Sequence, residues 1–406
     1  MLLELAIRNI RAHGRRSLLT ILLGAVSTGL LVFSTAWMDG SHAQMIRNAV
    51  EIYPGYLQIT GASFRESPSY EHLIFDVERL SGLLAREPGV ADSSPRFESF
   101  VLFARDEKAV GGMLTGLVPA REAAVSRLRD SLVAGRYLEK GDSNQLYLGK
   151  ELARRLGVGV GDELAFVGSG ADYSFAADRL RVVGIFQTGL FDFDAASAFM
   201  AKDYFDTIMA AENQATHIIV QPRDPGQAPE LARRLATLLG PEYQAASWRE
   251  TMAPLVKAME IDSLFGYLTL AVIFIVIFFV IMIYTLLLVY ARIREIGIMR
   301  ALGTTPGQVL TLLLLESALL GLLSVLLGGL IGGAFAYYYS VHPMVFASME
   351  EQFRQYGLAV SAIPAAFAPL VILRDMALMY LLLLLSTLYP IIKVNGLPPI
   401  EAIHHV

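Results

Sequence analysis

The chain has 406 residues, of which 54% are hydrophobic and 17% charged, and its mean hydropathy is +0.49; this exceeds a soluble globular composition and predicts an integral membrane protein. The net charge of −5 is unevenly spread, since residues 1–38 carry +3, residues 263–406 balance to zero and residues 39–262 are left with −8. An acidic middle domain gives no electrostatic basis for binding nucleic acid or anionic lipid, and the absence of cysteine excludes disulfides, thiol catalysis and thiolate metal sites.

In residues 1–16, Leu3, Ile7 and Ile10 share one helical face while Glu4, Arg8, Arg11 and Arg15 share the other, the pattern of a helix lying in the membrane interface. The apolar run 17–38 follows Arg15 and Arg16. It is long for a secretory signal and lacks an A-x-A cleavage site, so it reads as a retained first span. Gly24 with Thr28 and Ala25 with Gly29 stand four apart, which lets a second helix of the same subunit approach closely. Beyond Trp37, residues 39–52 keep a helical pattern and are expected to extend the span as a stalk.

Residues 39–262 comprise this stalk and a soluble α/β domain of short apolar runs, turn signals and amphipathic helices. Strands are expected at 56–60, 95–104, 111–117, 146–148, 163–167, 179–186 and 217–221, and helices at 76–86, 149–156 and 228–239. Gly157 should stop the second helix, 105–108 should turn, and Trp248 should begin the return to the membrane. LARRL occurs at 152–156 and again at 231–235 without any repeat around it.

The second span, 264–290, has 27 uncharged residues, roughly 40 Å of helix against a hydrocarbon core of about 30 Å. It should tilt or project outward, continuing a helix from residue 251 with Pro254 as a candidate kink. Residues 291–307 then form a short basic loop leashed to the membrane face. The third span, 308–339, carries Gly328, Gly329, Gly332 and Gly333 as two overlapping small-residue pairs. An outer loop, 340–375, contains Pro343 and Pro364, and Arg374 with Asp375 marks the edge of a barely sufficient fourth span, 376–392, before a tail, 393–406.

Arg8, Arg11, Arg15, Arg16, Arg292, Arg294, Arg300 and Lys393 all fall on one side of four spans, which makes that side cytoplasmic, with both termini inside. Glu316, about eight residues inside the third span, requires a partner or a wet pocket. The expected reading is a contact to a basic group near the cytoplasmic face or a protonated carboxyl, with a proton or substrate role as the alternative. No phosphate loop, nucleophile elbow or H-E-x-x-H helix is present, Gly157, Gly159 and Gly161 form only a turn, and His404 and His405 read as an ordinary tail rather than a metal site. The sequence holds no catalytic constellation, so no enzyme and no metal site are expected.

Within the basic loop, Arg294-Glu295-Ile296-Gly297-Ile298-Met299-Arg300-Ala301-Leu302-Gly303 resembles the R-x-R-E-I-G-x-x-R-A-L-G signature of FtsX-like ABC transporter permeases. Arg8-Asn9-Ile10 with residues 15–20 resembles the family's approach to its first span, Leu315-Glu316 its third-span glutamate, and Lys393 to Ile403, with Pro399, Glu401 and Ala402, its usual end. The resemblance implies a MacB/FtsX-type architecture: four transmembrane helices with an α/β extracytoplasmic domain between the first and second. Similarity to the MacB and lipoprotein-releasing branches implies a porter-like part at about 53–112 and 216–250, with an inserted part between.

By resemblance, this chain is a permease in the bacterial inner membrane, its large domain periplasmic. It forms a dimer with an identical or related permease and works with two copies of an ABC ATPase that binds ATP and Mg. ATP-driven closure would move the stalk, a mechanism called mechanotransmission, to extract or release lipoproteins, with a periplasmic lipoprotein chaperone or adaptor as a further partner. The alternatives are an adaptor-linked efflux permease and a non-transporting transmitter that regulates a periplasmic hydrolase. ATPase coupling is expected of Arg292, Arg294, Glu295, Gly297, Arg300, Ala301, Leu302 and Gly303, the charges offering contacts and the glycines close approach and helix termination. Arginines that merely enforced topology would leave Glu295 unexplained. The substrate path is expected near Trp37, Met38, Leu264 and Phe265, against membrane lipid.

Overall fold

The computed structural model describes residues 2–345 and 362–395. The tail motif at Pro399, Glu401 and Ala402 and the pair His404–His405 lie outside the described residues. From the N-terminus, α1 (Leu2–Ala12) and α2 (Gly14–Ile52) lead to β1 (Leu57–Gly61), α3 (Val77–Leu84), β2 (Val90–Arg105) and β3 (Lys108–Leu117). Next come α4 (Pro119–Val125), β4 (Leu132–Gly135), β5 (Gln145–Gly149), α5 (Lys150–Leu156), β6 (Glu163–Ser169), β7 (Phe175–Phe186), α6 (Phe191–Ala196), β8 (Ser197–Ala201) and α7 (Lys202–Met209). The chain returns through β9 (His217–Pro222), α8 (Ala228–Leu239), β10 (Tyr243–Ser247) and α9 (Trp248–Thr251). It ends with α10 (Ala253–Tyr290), α11 (Ile293–Ala301), α12 (Pro306–Val341), the paired strands β11 (Met344–Val345) and β12 (Ala362–Ile363), and α13 (Pro369–Asn395).

The chain divides into two units, a helical one from residues 2–43, 259–345 and 362–395 and an α/β one from residues 44–258. Four helices among the described residues, α2, α10, α12 and α13, are long and apolar enough to cross a membrane. α2 has 39 residues and α10 has 38, each about 57 Å of continuous helix, well beyond a hydrocarbon core of about 30 Å. Pro254 lies in the first turn of α10, where its missing N–H is harmless, so it starts the helix instead of kinking it. α13 begins seven residues earlier than the apolar run suggested and includes Arg374 and Asp375. Those neighbours pair at 2.9 Å, and the neutralised pair lets the helix continue where hydropathy alone breaks.

In the helical unit α12 lies between α2 and α13. A Cβ at Gly328 would collide with the Ala25 carbonyl, and one at Gly332 would meet the Gly29 carbonyl at 2.7 Å, whereas Gly329 and Gly333 face Met376 and Ile372 of α13. Small residues thus let the α2 and α12 backbones touch. The layer is completed by Leu31, Ile281, Val325, Met379 and Leu383. The helical termini follow local chemistry: Thr305 and Gln308 form a reciprocal capping box around Pro306 at the start of α12.

In the α/β unit one sheet runs β10-β1-β9-β2-β3-β8-β5-β7-β4, with β6 joining β2 and β7. β3–β8 and β5–β7 are parallel pairs, the rest antiparallel. One core, with Leu57, Ile59, Leu80, Ile218, Val220 and Leu231, sits under the β1–β9 side; another, with Phe97, Phe103, Leu148, Phe166, Leu180 and Phe205, fills the inserted side. β2 serves both, because its first half pairs with β9 and its second with β6. β3 runs unbroken through residue 112, where the family resemblance placed a boundary.

Elements with a clear local signal occupy the expected places: Asp76 caps α3 by accepting from the Arg79 N–H, Gly157 ends α5 at φ +72°, and Asp106 takes φ +53° in the β2–β3 turn. β4, β8 and β10 had not been expected. β8 is buried at all five positions, so it shows no alternation, while β4 has four exposed residues and no apolar period.

Candidate coupling site

The segment expected as a loop is a helix. Ile293, Ile296 and Gly297 are buried at spacings of three and one, and the two isoleucines pack with Val289, Val309, Leu313 and Ile391. A helix of nine residues is stable enough when the bundle covers its apolar face. The helix ends where the Leu302 N–H donates to the Ile298 carbonyl and the Thr304 N–H to the Met299 carbonyl, with Gly303 at φ +100°.

Arg292, just before α11, points back into the bundle with its side chain only 14% exposed. Its Nη1 donates to Glu316 Oε2 at 2.7 Å and its Nε to Glu295 Oε2 at 3.2 Å. Asn9 Nδ2 of α1 donates to the other oxygen, Glu316 Oε1, at 2.6 Å. His13 Nε2 stands 3.7 Å from Glu295 Oε1. The third-span carboxylate therefore has both oxygens engaged, as a buried charge requires, and the contact to a basic group is the one the structure shows. Beside it lies a cavity of about 90 Å³ walled by Ser17, Tyr284, Thr285, Leu320 and Leu383.

The eight residues expected to couple to an ATPase are not placed alike. Arg292 and Gly297 face their own bundle, whereas Arg294, Glu295, Ala301, Leu302 and Gly303 are exposed and Arg300 is half-buried. Leu302, 83% exposed, and Ile298 make an apolar tip beside the charges of Arg294 and Glu295. Ile298, Asn9 and His13 were missed as site residues. Asn9 stood in the quoted N-terminal motif, but nothing local connects it with a residue 307 positions away.

Of the expected substrate path, Trp37 and Met38 line a groove of the helical unit with Asp262, Gly266 and Thr269. Leu264 and Phe265 do not line it and are exposed on α10, because the helical period turns them away from Gly266. A Cβ at Gly266 would meet Met38 Sδ at 2.7 Å, and His42 Nε2 lies 2.8 Å from Asp262 Oδ2 at the groove's rim. Among the described residues no group of three or more His, Asp or Glu side chains could hold a metal.

Two family descriptions match the chain: an FtsX-like permease C-terminal domain over residues 267–399 and a MacB-like periplasmic core domain over residues 17–238. A lipoprotein-releasing system transmembrane protein LolC from Xylella fastidiosa is 27% identical over 344 residues, covering 81% of each chain. A protein of the same name from Neisseria meningitidis is 23% identical, covering 99% of this chain and 98% of its own. Among solved structures, the periplasmic region of MacB from Actinobacillus actinomycetemcomitans aligns at 14% identity and a TM-score of 0.38, over 53% of this chain and 97% of that one. The extracellular domain of the transporter YknZ aligns at 16% and 0.35, over 47% and 99%. With one description matching more than half of its length and the other its C-terminal spans, the chain belongs to the FtsX-like permease family and carries a MacB-like periplasmic core domain.

Proposed function

We propose that this chain is the permease subunit of a lipoprotein-releasing ABC transporter in a bacterial inner membrane, with both termini cytoplasmic. It pairs with a second permease and takes its motion from two copies of a separate ATPase, where ATP and Mg bind. The observation that carries this reading is the exposed tip Arg294, Glu295, Ile298 and Leu302 on a helix whose base is pinned by Arg292 to Glu316 of α12 and, through it, to Asn9 of α1. Force applied to that tip reaches α1 and α12 together, since a charge-assisted network yields less than a flexible loop would. α2 and α10 are the long levers, and the Trp37–Met38 groove is the place for an acyl chain at the outer leaflet. The LolC names of the relatives support release as the output.

The test is to purify the permease with its ATPase in lipid nanodiscs, load it with a triacylated lipoprotein and follow ATP-dependent appearance of that protein in the soluble fraction with an acceptor chaperone. ATP-dependent release supports the proposal. A complex that hydrolyses ATP but never holds or releases lipid-modified protein overturns it, and capture of a peptidoglycan hydrolase in its place would point to a signal transmitter.

A further inference from the structure

The most deeply buried charged group in the α/β unit lies away from the coupling site. Arg96 of β2 and Glu122 of α4 are both fully inaccessible. Arg96 Nε donates to Glu122 Oε2 at 3.0 Å, its Nη2 donates to Oε1 at 2.5 Å, and Ser94 Oγ donates to Oε2 at 3.0 Å. The remaining guanidinium nitrogen, Nη1, donates at 2.7 Å to the carbonyl of Tyr53, the residue immediately after α2, and the Tyr53 ring stacks 3.9 Å from the guanidinium carbon. A second tie runs alongside, because the Arg127 N–H donates to the Glu51 carbonyl at 2.8 Å. The last turn of α2 and the residue after it are thus fastened to β2, to the middle of α4 and to the segment just beyond α4, the first helix after β3 and the entrance to the inserted part.

Stability does not demand this arrangement, since well-packed apolar residues of similar volume commonly replace a buried ion pair without loss. What a bidentate guanidinium–carboxylate pair supplies is fixed distance and angle. Apolar side chains in the same place would slide. We infer that the Tyr53–Arg96–Glu122 knot is the joint that makes the end of α2 and the inserted part move as one piece, so that displacement of α2 is delivered to the inserted part and not absorbed by the chain turn at residues 53–56. The inference rests on the reading of α2 as an ATP-driven lever, and it assigns Arg96 and Glu122 as positioning residues for that movement.

The chain has no cysteine, so Arg47→Cys on α2 and Lys140→Cys in the inserted part are its only sites for spin labels; with labelled chains diluted by unlabelled ones and partner subunits made without cysteine, they report one distance within one chain. The measurement uses the complete permease–ATPase complex in nanodiscs, with and without a nonhydrolysable ATP analogue. The native pair should give one narrow distribution that nucleotide leaves unchanged. With Arg96→Met and Glu122→Leu combined, the melting temperature should be retained while the distribution broadens by about twofold and shifts with nucleotide. Arg96→Lys, a point charge without the fork, should fall between. A folded, assembled double variant whose distribution stays as narrow as the native one overturns the joint, as does a native distribution that itself moves with nucleotide. Should the double variant fail to assemble, Glu122→Gln is read by the same criteria. The distances are independent of substrate: a native complex that shows them but releases no lipoprotein refutes the release reading and leaves the joint intact.

Discussion

Arg292 Nη1 and Glu316 Oε2 stand 2.7 Å apart, although one residue precedes α11 and the other sits well inside the third span. The pair converts an isolated intramembrane charge into an anchor for α11, and its buried carboxylate is completed by Asn9. Glu316→Leu should lower thermal stability by about 3–5 kcal/mol, because Arg292 is left buried without its partner. Adding Arg292→Met should restore most of it. A single Glu316→Leu variant that melts in nanodiscs at the native temperature would refute the structural role.

At the tip the expectation is opposite. Leu302 is 83% exposed, so Leu302→Asp should leave insertion and melting unchanged yet weaken ATPase binding by about tenfold, the loss of one apolar anchor. Replacing Glu295 and Arg300 together should uncouple ATP hydrolysis from transport or reduce assembly. Co-purification stoichiometry and ATPase rate per complex check both; normal assembly and coupling in these variants would remove the tip from the interface.

The four glycines of α12 should separate by what they touch. Gly328→Ala drives a Cβ into the Ala25 backbone carbonyl, whereas Gly329→Ala meets the Sδ of Met376 at 2.5 Å, the flexible end of a side chain. Gly328→Ala is expected to destabilise by about 1–3 kcal/mol and Gly329→Ala by less than about 1 kcal/mol. Equal melting temperatures would mean that α2 and α12 separate without cost.

Acid should loosen the Arg96 knot. Burial by itself raises the Glu122 carboxyl, but the Arg96 guanidinium and its hydrogen bonds outweigh that and hold it below 4.5. A carboxyl with a depressed folded value contributes stability above its unfolded value and loses it as the pH falls through the folded one. The α/β unit of the full chain should therefore weaken as the pH drops below 4.5, and Glu122→Gln should flatten that dependence. Unfolding followed across this range in both proteins decides it; parallel curves would place the acid sensitivity elsewhere.

Much of the architecture was legible because it is written in local periodicity and composition. Long uncharged runs have no soluble alternative, so the spans of α2, α10 and α12 could be placed within a few residues. α8 spans Ala228–Leu239 as its amphipathic pattern requires, and the family motif at residues 294–303 was readable as a string. What that string looks like in space was not. Its helix forms because Ile293 and Ile296 meet Val309 and Ile391, contacts that no window around residue 293 contains.

The sequence by itself determined the membrane class, the order of spans and domain, and which short segment carries the family motif, since burial of apolar runs and turn chemistry act over a few residues. Only the tertiary structure decided how charges are satisfied: Glu316 with Asn9 across 307 positions, Arg96 with Glu122 across 26, and Arg292 turned inward and not toward a partner. The physical reason is that a buried charge is tolerated only beside its counter-charge, and that partner is chosen by helix packing and strand register, which chain proximity does not encode.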